Sequence, residues 1–332
     1  MKSRQVLLAA RPAGAPKASD FRLVEVDVAD PGPGEVLVRN LYMSVDPYMR
    51  GRMNEKQSYA RPWQVGEPAD GRAIGEVVKS QSPRLPVGAH VASMLGWREA
   101  FVANADTLQP VDRNLAPLSA YLGALGIPGF TGWYGLKQIG KPKEGETLVV
   151  SGAAGATGSL VAQAGKILGC RVVGTAGTDE KCAWLTKELG ADAAINYRKV
   201  SDLDAALRAA CPRGVDVYFE NVGGAMLDAV LGIINPFARI VLCGMISQYN
   251  LELPEPGPRN IRNMVGNRVL MQGFIISDHM DRYPEFVAEV GGWLKAGRLK
   301  YQETVVEGID RAVTAFLGLF AGDNTGKMVV KL

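Results

Sequence analysis

The stretch Thr147–Gly169, TLVVSGAAGATGSLVAQAGKILG, decides the fold. Thr147–Val150 is a short apolar strand that runs into a Gly-rich turn, and an apolar-patterned helix follows. Gly152, Gly155 and Gly158 stand at intervals of three. In such a strand–turn–helix unit the first glycine permits the sharp turn. The second leaves room for a pyrophosphate, and the third lets the helix close on the strand. The helix N-terminus at Ala156 and Thr157 then offers free N–H groups and the positive dipole end to phosphate oxygens. The spacing is GxxGxxG, looser than GxGxxG. The strand before it and the helix after it are what make it a dinucleotide site.

Downstream, strand and helix alternate. Arg171–Thr175 is a strand, and a helix follows at Asp179–Leu189 with Thr178 or Asp179 as its cap. Ala193–Asn196, a helix at Asp202–Ala210, Val215–Glu220, a helix around Met226–Ile234 and Arg239–Gly244 continue the series. Val269–Ile276 is a further apolar strand, and Phe286–Ala296 and Arg311–Phe320 have helical spacing. The pattern predicts an α/β fold with a doubly wound parallel sheet. Upstream the grammar is β-rich: Arg4–Leu8, Phe21–Val28, Glu35–Tyr42, Gly71–Lys79, Ala100–Ala103 and Thr107–Pro110 are short strands between Pro/Gly breakers, as in a small barrel. Leu115–Leu125 returns to helical spacing, and strand character resumes after about Lys300 and ends in Lys327–Leu332.

A chain of 332 residues is long for one core and points to two domains. A net charge of +3, evenly spread, argues against nucleic-acid or membrane partners. No apolar run reaches the ~18–20 residues of a membrane span. The apolar run before Arg11 is too short for a secretory signal, so a cytoplasmic address is expected. Cys170, Cys182, Cys211 and Cys243 are scattered, and His90 and His279 are the only histidines. None stands at ligand spacing, so no metal site is expected. A Ser-His-Asp or Cys-His nucleophile also has little to draw on. Chemistry is left mainly to a cofactor.

The order of parts, β-rich then nucleotide-binding, resembles the medium-chain dehydrogenase/reductase superfamily. Within it the chain is similar to the zinc-independent branch of prostaglandin, 2-alkenal and curcumin reductases. The resemblance is carried over nearly the whole length by NLYMSVDPYMRGRM (40–53), GIPGFTGWYGL (126–136), VSGAAGATGSLVAQAGKILGCRVVGTAGTDEK (150–181), LGADAAINYR (189–198), VDVYFENVGG (215–224), CGMISQYN (243–250) and TGKMVV (325–330). It implies a GroES-like β-rich domain from 1–125 and 300–332, a Rossmann domain from 126–299, and a homodimer, with VLMQGFII continuing a sheet across a two-fold axis.

The cofactor has a physical argument of its own. NAD sites place an acid at the end of the second strand, ~20 residues past the first glycine. That strand end here is Gly174-Thr175-Ala176-Gly177, without an acid, which admits the 2′-phosphate of NADPH. Lys181 lies just beyond and can place an ammonium there, while Asp179 is better read as a capping acid. The resemblance supports Lys181 and Tyr197 around the 2′-phosphate; a solvated lysine and a strand-end tyrosine are the plain alternative. It also implies cofactor contacts from Asn221, from Cys243, Gly244, Met245, Ile246, Ser247 and Tyr249, from Phe274, Ile275 and Ile276, and from Asn324. FII as ordinary core strand and NVGG as a plain turn are their alternatives.

With no zinc ligands and no histidine placed for alcohol oxidation, hydride delivery to an activated C=C asks least of the protein. It needs cofactor positioning, a donor at the carbonyl oxygen and a proton source. The family does this on α,β-unsaturated ketones and aldehydes. Tyr48, in VDPYMR, is the candidate catalytic residue, as hydrogen-bond or proton donor; a tyrosine packed between domains is the alternative. Arg50 and Arg52 are expected to be solvated rather than substrate-binding. Relatives often carry a tyrosine where this chain has Gly266, so a roomier pocket is expected, with the Pro-rich loop 251–260 at its entrance. A quinone reductase of the same superfamily is one alternative function, and a non-catalytic NADPH-binding protein another.

Overall fold

A computed structural model describes all residues, 1–332. The chain forms two compact units, Met1–Gly123 with Glu303–Leu332, and Ala124–Gln302.

The first unit starts with β1 (Lys2–Leu8) and β2 (Phe21–Asp27), paired antiparallel from Lys2 opposite Asp27 to Leu8 opposite Phe21. The long strand β3 (Glu35–Ser44) leads through an Asp-Pro turn into one helical turn, α1 (Met49–Arg52). Strands β4 (Ala73–Ser80), β5 (His90–Ser93), β6 (Ala100–Asn104) and β7 (Gln109–Pro110) follow. Leu115–Leu125, expected to be helical, contributes only a 3₁₀ segment, Leu118–Leu122, which Gly123 ends. The apolar side chains centre on Trp97, whose ring stacks on Phe21 at 5.8 Å and takes Trp63 edge-on at 5.6 Å. Trp97 holds φ at 61°, a strained conformation for a bulky residue that its full burial pins in place.

In the second unit, α2 (Ile127–Tyr134) opens with Pro128 in its first turn and continues as a π-helical segment, Gly135–Gly140. The glycines in this stretch hide a helix from any apolar-periodicity reading. Their use is proximity: a Cβ at Gly135 would come within 2.9 Å of Phe219, Val241 and Phe274, and one at Gly132 within 3.0 Å of Val161. Next come β8 (Thr147–Val150), α3 (Ala156–Ile167), β9 (Arg171–Ala176), α4 (Asp179–Lys187), β10 (Ala193–Asn196) and α5 (Leu203–Ala210). The series continues with β11 (Val215–Glu220), α6 (Gly224–Leu231), β12 (Ile234–Leu242), α7 (Asn263–Asn267), β13 (Leu270–Gly273) and α8 (Tyr283–Lys295). The six strands lie in the order β10-β9-β8-β11-β12-β13, all parallel. This is a doubly wound sheet whose strand order reverses between β8 and β11, the place where such sheets bind ligands.

Several expected boundaries move, those of β12 and β13 among them. The helix predicted to reach Ile234 stops at Leu231, because β12 starts at Ile234 and its register on β11 jumps between Val215 and Val217. The strand predicted for Val269–Ile276 pairs with β12 only over Leu270–Gly273, so Phe274, Ile275 and Ile276 leave the sheet.

The tail rejoins the first unit as β14 (Glu303–Glu307), α9 (Ala312–Ala321) and β15 (Lys327–Lys331). There β15 runs parallel to β14 and antiparallel to β3, giving the order β14-β15-β3-β4-β5-β7 with β6 also on β3. No helix is long and apolar enough to cross a membrane.

Candidate functional site

The glycine turn is built for close approach. Gly152 holds φ at 58°, and the Gly155 N–H donates to the Gly152 carbonyl at 3.0 Å. A Cβ on Gly158 would sit 2.4 Å from the Gly152 carbonyl oxygen and 2.8 Å from the Ala153 Cα. The side-chain-free cradle therefore brings the first turn of α3 against the turn, with Gly155 as its N-cap and Ala156, Thr157 and Gly158 following. That turn carries no acid, so the dipole end is free to act on an anion. A pyrophosphate fits this surface sterically and electrostatically.

At the end of β9 the backbone is again crowded by polar groups. A Cβ on Gly177 would lie 3.1 Å from the Tyr197 hydroxyl and 3.3 Å from Nε of Arg198. Thr178 is the N-cap of α4 and accepts from the Lys181 N–H at 3.3 Å, which settles the choice of cap. Lys181 thus stands in the first turn of α4, on the same loop-to-helix junction as Gly177. Asp179 is tied up: its carboxylate accepts from Asn196 at 2.6 Å and pairs with the Lys199 ammonium. Those bonds, Lys199 first, hold its carboxyl below the usual range. Of the two acids in this first turn, Asp179 is therefore neutralised by a partner, while Glu180 is held by hydrogen bonds from its own N–H and from Thr178. Arg198 was missed from sequence; it follows Tyr197 within the same NYR motif.

The carboxyl ends of β8, β11 and β12 are knitted together by a buried acid that the sequence did not single out. The Glu220 side chain accepts from the Ser151 hydroxyl at 2.7 Å and from the Val222 N–H at 2.6 Å. Its carbonyl accepts from the N–H groups of Cys243 and Gly244 at 3.0 and 3.1 Å. Asn221 donates from Nδ2 to the Ser151 carbonyl at 2.7 Å, and its own carbonyl accepts from the Ile246 N–H. Ser247 bonds Val222 through both its N–H and its hydroxyl, and the Met245 N–H donates to the Tyr249 hydroxyl at 3.2 Å. Asn221, Cys243, Gly244, Met245, Ile246, Ser247 and Tyr249 thus form one hydrogen-bonded rim at the edge where β8 carries the glycine turn. Burial pushes the Cys243 thiol up to about 12, so it is no thiolate.

Phe274, Ile275 and Ile276 follow β13 at the same carboxyl edge. The Phe274 ring lies 5.7 Å from that of Tyr134, which in turn stacks on His279 at 4.2 Å. Phe274 and Ile275 are loop residues and Ile276 opens a 3₁₀ segment, Ile276–Arg282, so none of the three is core strand.

In the first unit, Tyr48 precedes α1, and its ring packs against the apolar cluster that includes Met49, Met53 and Phe316. Burial, and next the charge of Asp46, push its phenol well above the ordinary value, with Arg52 opposing. Arg50 and Arg52 are not solvated, contrary to expectation. Arg50 is buried and donates to the Gly14 carbonyl and to Asn54, each at 2.7 Å. Arg52 makes a two-pronged pair with Asp70, donates to the Arg61 carbonyl at 2.8 Å, and lies over the Trp63 ring. Both tie α1, the helical turn that follows Tyr48, to neighbouring segments. Asn324 sits in the turn before β15 and donates to the Gly326 carbonyl at 2.7 Å. No three His, Cys, Asp or Glu side chains gather as a metal site would require.

Residues 4–111 match a family described as the N-terminal domain of oxidoreductase, and residues 156–291 one described as zinc-binding dehydrogenase. The chain is 44% identical to the NADPH-dependent curcumin reductase of Escherichia coli, over 100% of this chain and 97% of that protein. It is 43% identical to the NADP(+)-dependent 2-alkenal reductase of Nicotiana tabacum, over 99% and 97%. A crystal structure of CurA from Vibrio vulnificus in complex with NADPH superposes with a TM-score of 0.94 at 44% identity, covering 99% of this chain and 98% of that one.

Proposed function

The chain belongs to the medium-chain dehydrogenase/reductase superfamily, in the branch of curcumin, 2-alkenal and prostaglandin reductases, and we propose that it reduces the C=C bond of α,β-unsaturated ketones and aldehydes with NADPH. The observation that carries the proposal is the end of β9. The strand itself ends without an acid; of the two acids that open α4, Asp179 is paired with Lys199 and Glu180 is bonded to Thr178, while Tyr197 and Arg198 crowd Gly177 and Lys181 follows in the first turn of α4. A ribose 2′-phosphate is the group such a junction suits.

In this proposal the turn at Gly152, Gly155 and Gly158 and the first turn of α3, Ala156 and Thr157, hold the pyrophosphate. Lys181 and Tyr197 hold the 2′-phosphate. Asn221, Cys243–Tyr249, Phe274–Ile276 and Asn324 hold the nicotinamide half. Bound NADPH supplies the hydride, which goes to the β-carbon of the substrate. Tyr48 donates a hydrogen bond to the carbonyl oxygen as negative charge develops there. Its raised pKa keeps it protonated across the neutral range, as a donor must be. No metal takes part. Gly266, exposed in α7 with room for a side chain, belongs in this proposal to the substrate side. A broad range of enones follows from that space.

We take the unpaired edge of β13 as the contact between two copies in a homodimer. Leu270 is half exposed there, with Val265 and Phe237 exposed nearby in sequence and sheet. Light scattering checks the dimer. NADPH-oxidation assays across enones, enals, quinones and alcohols check the reaction, with Tyr48→Phe alongside. Enone and enal turnover that falls at least tenfold in Tyr48→Phe is expected; activity confined to quinones would overturn the proposal.

A further inference from the structure

The TGKMVV stretch contains a side chain for which the proposed reaction has no use. Lys327 opens β15, and its side chain is only 4% exposed. Its ammonium nevertheless has a full set of acceptors. Nζ donates to the Val45 carbonyl at 2.8 Å and the Met328 carbonyl at 2.7 Å, and lies 3.2 Å from Oδ1 of Asp46. The other carboxylate oxygen of Asp46 accepts from the Ser44 hydroxyl at 2.5 Å, and the Asp46 carbonyl accepts from the Met49 N–H that starts α1. The stem of Lys327 passes over Gly123, where a Cβ would come within 3.2 Å of it. One further carboxylate faces it, Glu303 from β14, directly across the register.

We propose that the Lys327–Asp46 pair is the positioning device for Tyr48. The tail strand fixes both ends of the turn entry, the Val45 carbonyl and the Asp46 side chain, and Tyr48 lies two residues further on, across Pro47. The pair also neutralises Asp46, which of the charged groups around the phenol, Asp46, Arg52 and Asp70, is the one nearest to Tyr48 in the chain. Lys327 and Asp46 touch no substrate in this scheme; they act through Tyr48. The inference rests on the donor role of Tyr48 for its effect on rate, but not for its effect on the position of Tyr48.

The test uses the full chain with 3-fluorotyrosine at position 48, read by ¹⁹F NMR, beside steady-state kinetics with 4-phenyl-3-buten-2-one and NADPH. Lys327→Met is expected to move or split the fluorine resonance, to lower kcat tenfold or more, and to leave the NADPH KM within twofold. Lys79→Met, which breaks an exposed pair with Asp30, is expected to move neither. In a Tyr48→Phe background, Lys327→Met should cost no further kcat. Should Lys327→Met fail to fold, Asp46→Asn removes the same pair with little change of shape and takes its place. An unmoved fluorine resonance, or an equal kcat loss in both backgrounds, would overturn the positioning role. A Tyr48→Phe enzyme with the wild-type kcat would instead overturn the donor role, and the fluorine resonance alone would then decide the positioning one.

Discussion

The ammonium of Lys327 and the carboxylate of Asp46 lie 3.2 Å apart inside the first unit, although they come from opposite ends of the chain. Burial lowers the lysine's pKa, and Asp46 then opposes that shift. Removing one member leaves the other charged and buried without its partner. Lys327→Met should therefore cost about 3–5 kcal/mol, whereas the double variant Asp46→Asn/Lys327→Met should regain much of that loss. Urea unfolding of the four proteins of this cycle measures both numbers. Strictly additive losses would show that the two groups are not coupled.

The glycine cradle can be tested with one methyl group. Gly158→Ala forces a Cβ to within 2.4 Å of the Gly152 carbonyl oxygen, which belongs to rigid backbone, so the turn must open. Overpacking of this kind costs about 1–3 kcal/mol. We expect a lower melting temperature and an NADPH KM raised at least tenfold. A neutral Gly158→Ala would mean that α3 does not close on the turn as described.

Cofactor choice should reside in the charges beside Gly177. Lys181→Ala is expected to raise the NADPH KM more than tenfold and the NADH KM less than twofold. Arg198→Ala should shift the same ratio in the same direction, because its guanidinium also lies against Gly177. Higher salt should narrow the wild-type preference. Equal losses for the two cofactors would remove both residues from the 2′-phosphate.

A pH dependence follows from Glu146. Burial alone would raise its carboxyl pKa, but hydrogen bonds from Arg239 at 3.0 and 2.5 Å and from the Lys143 N–H at 2.8 Å outweigh that, and the net shift is downward. A lowered folded-state pKa means that the unfolded chain takes up the proton first as pH falls. The stabilisation is thus complete above the ordinary carboxyl value of ~4.3 and is lost as pH falls through the folded value below it. Glu146→Gln should be less stable than the wild type by about 1.5–3 kcal/mol at neutral pH. The gap should close toward the acid end of a series of denaturant melts. A gap constant with pH would show that charge at Glu146 contributes nothing.

Much of the second unit was legible from local pattern. Thr147–Val150, Ala193–Asn196 and Val215–Glu220 are strands over the residues that the apolar runs marked out. Thr178 and Asp202 cap their helices through their side chains, as short oxygen-bearing residues do. The misses have physical causes. Helix α2 was hidden because its glycines serve contacts with α3 and the sheet instead of periodicity. VLMQGFII was read as one strand because apolar character alone does not mark where a partner strand ends. Arg50 and Arg52 were expected in solvent because charge normally stays there; carbonyl acceptors and Asp70 draw them inside.

The glycine spacing, the alternation of strand and helix and the missing acid after β9 are short-range properties, since each depends on neighbours within a few residues in the chain. By themselves they determined a doubly wound sheet with a glycine turn at the start of α3, and they pointed to NADPH. What pairs with what was decided only in three dimensions. Arg198 beside Gly177, Lys199 on Asp179, the Glu220 network and Lys327 on Asp46 each join segments separate in sequence. A side chain's own pattern shows that it lies on a strand or a loop; which acceptor stands opposite is set by the register of a distant strand.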